Sequence, residues 1–172
     1  AGYDVYYEKS DSKTRELFFE NLKISSEIAA TYGIKLGFET MEATLNPILD
    51  TVEKCMYYIK KINSPNLGIY PDIGNLKNSS LIYNNSVDDD LNFGKGHTFA
   101  AHLKETKPNH YREIDFSTGH TEYDSNLRTL KNMGIRMFVA EFWYVNNNNW
   151  REVCFEANKF LRSKLEKVFM NG

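Results

Sequence analysis

Four short apolar segments, each ending at a side chain that can bind a metal ion, constrain the fold of this chain more than any other feature. They cover residues 34–39, 67–72, 98–102 and 136–141, and their final residues are Glu39, Asp72, His102 and Glu141, the four candidate ligands. The intervals of 33, 30 and 39 residues each match one strand followed by one helix. Such regular alternation predicts a parallel sheet.

The length limits how much of a parallel fold is present. An eight-unit TIM barrel needs about 250 residues, whereas this chain has 172. Residues 1–7 have the character of a strand that no helix or turn precedes. We therefore expect an α/β protein in which residues 1–172 form a single domain, the C-terminal half of a TIM barrel with about strands 5–8 and their helices. We expect the N-terminal strands to be absent from this chain.

Helical periodicity predicts the segments between and after the strands. Expected helices cover residues 14–32, 46–62, 87–93, 125–133 and 150–170, and expected polar loops cover residues 76–85 and 103–123. Asp88, Asp89 and Asp90 are expected to lie in a solvated first helical turn, where negative charge is favourable. Cys55 and Cys154 are expected to be buried, reduced thiols, which fits a cytoplasmic protein.

Composition excludes several classes of protein. A hydrophobic fraction of 41% and an aromatic fraction of 14% are typical of a globular chain with a sizeable core. The formal charge of -2 and the pI near 6.1 give no broad basic field, so nucleic acid is not an expected partner. No apolar run reaches the roughly 18 residues that a membrane span requires, so no membrane partner is expected.

The four candidate ligands favour metal chemistry. Because parallel strands open their carboxyl ends on one face, the four side chains are expected to converge. Three carboxylates and an imidazole suit Mn²⁺ or Mg²⁺ and tolerate Zn²⁺ or Co²⁺. A ketose fits the remaining coordination positions, and the ion would stabilise an enediolate. If Glu39 and Glu141 flank the sugar carbon, one removes the proton and the other returns it on the opposite face, which epimerises that carbon.

Three further residues are candidate substrate ligands. Lys104 and Lys107 follow His102, where they could bind a sugar phosphate, although solvated loop lysines are an equal alternative. Asn75 follows Asp72 by three residues and either contacts a substrate hydroxyl or caps the next helix. Glu42 is expected to be a surface charge.

The segments 1–7, 70–76 and 102–108 resemble the L-ribulose-5-phosphate (L-xylulose-5-phosphate) 3-epimerase family, which also carries the name hexulose-6-phosphate isomerase. The resemblance covers essentially the whole chain and implies a xylose-isomerase-like TIM barrel. It also implies a divalent metal at the four candidate ligands and a 3-epimerase of a ketopentose 5-phosphate, with Glu39 and Glu141 as the acid/base pair. Where the family tends to have Phe-Gly-Glu-Gly, this chain has Phe116-Ser117-Thr118-Gly119.

Other functions remain open at this point. An aldose–ketose sugar phosphate isomerase on the same scaffold would share the enediolate and differ in the carbon that is reprotonated. A non-catalytic half-barrel would expose two sheet edges, so a homo-oligomer or a partner chain that covers them is expected. A phosphodiester-cleaving enzyme would need a multi-zinc cluster with more histidines and a basic groove, and the sequence shows neither.

Overall fold

The computed structural model describes residues 10–145 and 148–170, so the strand predicted at residues 1–7 lies outside the described part. Within that part, helices and strands alternate, except that two helices lie between the second and third strands, where one was predicted. In chain order the elements are α1 (Ser12–Thr31), β1 (Leu36–Glu39), α2 (Val52–Ile62), β2 (Leu67–Tyr70), α3 (Ile73–Tyr83), α4 (Val87–Phe93), β3 (Ala101–Lys104), α5 (Tyr123–Asn132), β4 (Phe138–Glu141) and α6 (Trp150–Phe169).

The four strands lie side by side in sequence order. β1 pairs in parallel with β2, and β3 pairs in parallel with β4. Two parallel bridges, Ile69 with Thr98 and Asp72 with His102, join β2 to the segment that leads into β3. Between the two bridges, the segment that leads into β3 contains one more residue than the segment of the β2 side with which it pairs. One extra residue of this kind is the geometry of a β-bulge. β3 therefore begins and ends later than the predicted strand at residues 98–102.

Helix α2 shows how periodicity produces the core. Val52, Cys55 and Ile59 lie on one face of the helix and are buried against the sheet. The helix begins at Val52 because the Thr51 side chain caps it. The predicted start at Asn46 is wrong, since that side chain closes a separate turn by accepting from the N–H of Ile48.

Helix α3 replaces most of the loop predicted at residues 76–85. Asp72 caps it, accepting from the N–H groups of Gly74 and Asn75, and Asn84 ends it in the left-handed conformation. Its buried face contains polar and small residues as well as apolar ones, so the helix has no strong apolar stripe. The periodicity that revealed the other helices is therefore weak here.

The acidic turn of α4 holds other elements together. Asp90 is buried and accepts from the N–H groups of Val52 and Glu53 at the start of α2. Asp88 accepts hydrogen bonds from three side chains of α5. The prediction of a solvated turn is therefore wrong for these two residues, and only Asp89 is exposed.

The two ends of the sheet are open within the described ranges. There, β1 pairs only with β2, and β4 pairs only with β3. Val139 in β4 is 44% exposed. Cys154 on α6 is exposed as well, so a buried thiol was wrongly predicted there, whereas Cys55 is buried. No described helix is both long and apolar enough to cross a bilayer.

Candidate metal centre

The structure brings the four candidate ligands together at the carboxyl ends of the strands. Glu39 and Glu141 are the last residues of β1 and β4, Asp72 follows β2, and His102 lies in β3. One donor atom from each residue lies within 4.8 Å of the donors of the other three. The same face holds the chemistry of TIM-barrel enzymes.

His102 lies between the two glutamates. Its Nδ1 is 2.9 Å from Glu39 Oε1 and 2.9 Å from Glu141 Oε2. Burial alone would lower the pKa of His102, but the hydrogen bonds to Glu141 and Glu39 outweigh it and raise the pKa to about 10. The ring also lies against Tyr70, with the ring centroids 4.2 Å apart. These contacts hold both carboxylates beside one point.

Asp72 presents one oxygen to the same point. The residue is fully buried, and its Oδ1 accepts from the N–H groups of Gly74 at 2.8 Å and Asn75 at 2.9 Å. Its Oδ2 has no hydrogen-bond donor in the described part of the chain. Burial raises the pKa of Asp72 to about 7. A buried carboxylate oxygen without a donor is unusual, and a bound cation would satisfy it.

Thr40 and Asn75 fix Asp72 relative to Glu39. Thr40 follows Glu39 directly, and its Oγ1 accepts from the Asp72 N–H at 2.9 Å. The Asn75 side-chain amide donates to the Thr40 carbonyl at 2.9 Å. Asn75 is buried and links the residue after β1 to α3. Asp72, and not Asn75, caps α3, and the role of Asn75 in substrate binding stays a prediction.

Lys104 lies inside the site. The prediction that it belongs to the loop after His102 is wrong. It is the last residue of β3, and the alternation of side chains along a strand places it on the same face as His102. Its Nζ is 3.0 Å from Glu141 Oε1 and 3.6 Å from Asp72 Oδ2, and it donates to Asn75 Oδ1 at 3.2 Å. The residue is 3% exposed. Burial would lower the pKa of Lys104, but the charges of Asp72 and Glu141 raise it.

The neighbours of Glu141 favour its charged form. Burial would raise its pKa, but the hydrogen bond from His102 and the charge of Lys104 lower it to about 2. Glu141 is therefore a carboxylate throughout the neutral range. Its two oxygens have different partners, since Oε2 contacts His102 and Oε1 contacts Lys104.

Lys107 is exposed in the loop that follows β3, as predicted. Its backbone pairs with His110, with N–H···O distances of 3.0 and 2.8 Å. This pairing forms a tight turn. The predicted phosphate-binding role of Lys107 stays a prediction.

The sequence did not reveal a link between the segments that follow β1 and β4. Arg112 Nε donates to Glu42 Oε1 at 2.7 Å, and the Arg112 guanidinium lies 4.8 Å from the Trp143 ring centroid. Glu42 is buried, so the prediction of a surface charge is wrong. These contacts connect the segment after β1 to the segment after β4.

The donor set fits a divalent ion. Separations near 2.9 Å between neighbouring donors match adjacent ligands on an ion with bonds of about 2.1 Å. Within the described ranges, the four candidate ligands are the one group of at least three His, Cys, Asp or Glu residues with this proximity. Fold and site together define a parallel α/β protein of the TIM-barrel class with a cluster of four hard donors at its carboxyl edge that could hold a metal ion.

Comparison with known proteins identifies the family. The profile of the Xylose isomerase-like TIM barrel family matches residues 1–164, and the chain belongs to this family. The chain is 31% identical over 171 residues to the L-ribulose-5-phosphate 3-epimerase UlaE of Escherichia coli, and equally to that of Escherichia fergusonii. The matched region covers 99% of this chain but 58% of each relative.

Solved structures show the same fold. An L-ribulose 3-epimerase superposes with a TM-score of 0.75 at 16% identity, covering 99% of this chain and 60% of the other. The xylose isomerase domain protein of Planctomyces limnophilus superposes with a TM-score of 0.73 at 19% identity, covering 94% and 57%. These matches confirm the predicted α/β class and the partial barrel.

Proposed function

We propose that this chain carries the metal centre of a divalent-metal-dependent 3-epimerase that acts on a ketopentose 5-phosphate, L-xylulose 5-phosphate or L-ribulose 5-phosphate. The observation that carries the proposal is the convergence of the four candidate ligands from four adjacent parallel strands. The relatives named L-ribulose-5-phosphate 3-epimerase support the choice of substrate.

Glu39, Asp72, His102 and Glu141 would hold the ion, with Mn²⁺, Mg²⁺, Zn²⁺ and Co²⁺ as candidates. A bound ion supplies a Lewis acid that polarises the ketose carbonyl and makes the neighbouring C–H acidic. The residues of the chain orient the sugar and move the proton. The buried Oδ2 of Asp72 supports this assignment, because it has no hydrogen-bond donor among the described residues.

The contacts of the two glutamates support their proposed role as the acid/base pair. Among the four described strands, Glu39 ends the first and Glu141 ends the last, and His102 Nδ1 contacts both carboxylates. Each carboxylate has a second oxygen that does not contact His102. One carboxylate can remove the proton from C3, and the other can return a proton to the opposite face, which inverts the centre.

Product analysis by NMR in D₂O tests the proposal on the intact protein with Mn²⁺ and each ketopentose 5-phosphate. We expect deuterium at C3 together with the inverted sugar. We expect Glu39→Gln and Glu141→Gln each to lose about 100-fold or more in kcat. Glu27→Gln, on an exposed position of α1, is the matched control and should keep full activity.

Two results would contradict this function. An aldose product would reject the epimerase and favour the aldose–ketose isomerase, which would use the same centre. Full activity in either glutamine variant would reject the assigned acid/base pair.

The open ends of the sheet support a second proposal, about assembly. β1 and β4 each lack a second neighbour in the described part of the chain, and apolar side chains such as Met137 and Val139 are exposed there. We infer that a second copy or a partner chain covers these edges. Light scattering after size-exclusion chromatography should show an oligomer, and a stable folded monomer without a partner would contradict the inference.

A further inference from the structure

We propose that Lys104 is a positioning residue whose positive charge, held against two of the candidate ligands, makes the metal centre electrically neutral when a divalent ion is bound. The inference rests on the metal centre of the proposed function and assigns Lys104 a role other than phosphate binding. Its ammonium group contacts two of the four candidate ligands and is 3% exposed as a residue, so it has little access to a phosphate in solution.

The surroundings of Lys104 hold its ammonium in one place. Nζ lies 3.0 Å from Glu141 Oε1 and 3.6 Å from Asp72 Oδ2. Asn75 Oδ1 accepts from it at 3.2 Å, and the Asn75 amide is itself tied to the Thr40 carbonyl. The ammonium therefore lies at a fixed position between the elements that carry Asp72 and Glu141.

Charge counting gives the consequence. The three carboxylates carry three negative charges, and a metal-bound histidine is neutral. A divalent ion leaves one negative charge uncompensated, and Lys104 compensates it. The loaded centre then has no net negative charge. It therefore does not repel the negative charge that develops on the substrate during proton removal.

The same charge has opposite effects on metal binding and on turnover. Lys104 repels a cation that enters beside it, so its removal should strengthen metal binding. Removal also leaves Glu141 Oε1 without its cationic partner and gives the loaded centre a net negative charge, so turnover should fall. If Lys104 had only a structural role, its removal would weaken metal binding as well as turnover.

Two variants of the intact protein separate charge from hydrogen bonding. Lys104→Gln keeps an amide that can donate to Asn75 and Glu141 but removes the charge, while Lys104→Arg keeps the charge. Isothermal titration with MnCl₂ should show about tenfold tighter binding or more for K104Q and little change for K104R. The kcat of K104Q should fall about tenfold or more, and K104R should retain most of the activity.

Each result decides the inference. Wild-type protein that binds no Mn²⁺ would reject both the proposed function and the role of Lys104. If wild-type protein binds Mn²⁺ and K104Q binds it equally or more weakly, the role of Lys104 alone is rejected. The same holds if K104Q does not fold, as judged by circular dichroism, because Lys104 then has a structural role.

Discussion

Replacing Asp72 by asparagine is expected to stabilise the protein without metal and to destabilise it, relative to the wild type, with metal. Asparagine keeps the Oδ1 that caps α3, since it can accept from the N–H groups of Gly74 and Asn75 as the aspartate does. It removes the negative charge on a fully buried side chain. The substitution therefore tests whether that charge is present to bind a cation.

The expected change in the free energy of unfolding follows from the raised pKa of the buried Asp72 carboxyl. Burial raises the pKa of Asp72 from 3.8 to about 7, a difference equivalent to about 4 kcal/mol. Because the pKa is higher in the folded state, this contribution to stability is present below about pH 4 and is lost as the pH rises through about 7. The substituted asparagine does not ionise and has no such loss, so D72N should be more stable by about 2 kcal/mol near pH 8 after local relaxation, or about 4–8 °C in Tm.

A saturating concentration of metal should reverse the order of stability of D72N and the wild type. A ligand at about 1,000 times its Kd stabilises the folded state by about 4 kcal/mol. D72N lacks the carboxylate and should lose most of that gain, so the wild type should then be the more stable protein. The assay is thermal unfolding near pH 8 in EDTA and in excess MnCl₂, with the exposed Asp89→Asn as the matched control.

Two outcomes would refute this reasoning. If D72N is less stable than the wild type in EDTA, the buried charge does not oppose folding. If Mn²⁺ raises the Tm of D72N as much as that of the wild type, Asp72 is not a ligand. D89N should match the wild type in both conditions.

Three further predictions concern the framework of the site and are checked by urea unfolding. Gly119→Ala should destabilise by about 2 kcal/mol or more, because its Cβ would lie 2.1 Å from the Thr106 carbonyl oxygen; wild-type stability would contradict this contact. Ser117→Gly should stabilise by about 0.5 kcal/mol, since Ser117 has a φ of 74°, and a loss of stability would contradict it. Asp90→Ala should cost about 2 kcal/mol because Asp90 accepts from two N–H groups at the start of α2; an unchanged midpoint would show that water replaces it.

The sequence was sufficient for the positions of the four candidate ligands. Apolar runs that end in one polar side chain repeat at strand-plus-helix intervals, and parallel topology alone then requires their ends to lie on one edge. That argument needs no side-chain packing, and in the structure one donor atom of each of the four residues lies within 4.8 Å of the others.

The misplaced elements depend on tertiary contacts. β3 was predicted to end at His102, but the extra residue before it shifts the strand and brings Lys104 into the site. Alternation along the strand could have revealed this, because Ala101 and Leu103 are apolar while His102 and Lys104 are polar. The carboxylates that stabilise this buried lysine belong to two other segments of the chain. The sequence near Lys104 therefore does not reveal them.

Polar residues account for the remaining errors. Asp90 lies in an acidic turn that looks solvated, yet it satisfies N–H groups of a helix that begins 38 residues earlier in the chain. Helix α3 has a partly polar buried face because residues such as Asn75 and Ser79 bond to neighbouring elements. Hydrophobic periodicity detects neither case, since the partners are distant in sequence.

Anomalous diffraction from Mn²⁺-soaked crystals of the intact protein tests the central claim most directly. We predict a single strong peak within about 2.0–2.4 Å of one donor atom of each of Glu39, Asp72, His102 and Glu141. A peak elsewhere, or a peak that fewer than three of these residues contact, would contradict the metal centre and the sugar chemistry that depends on it.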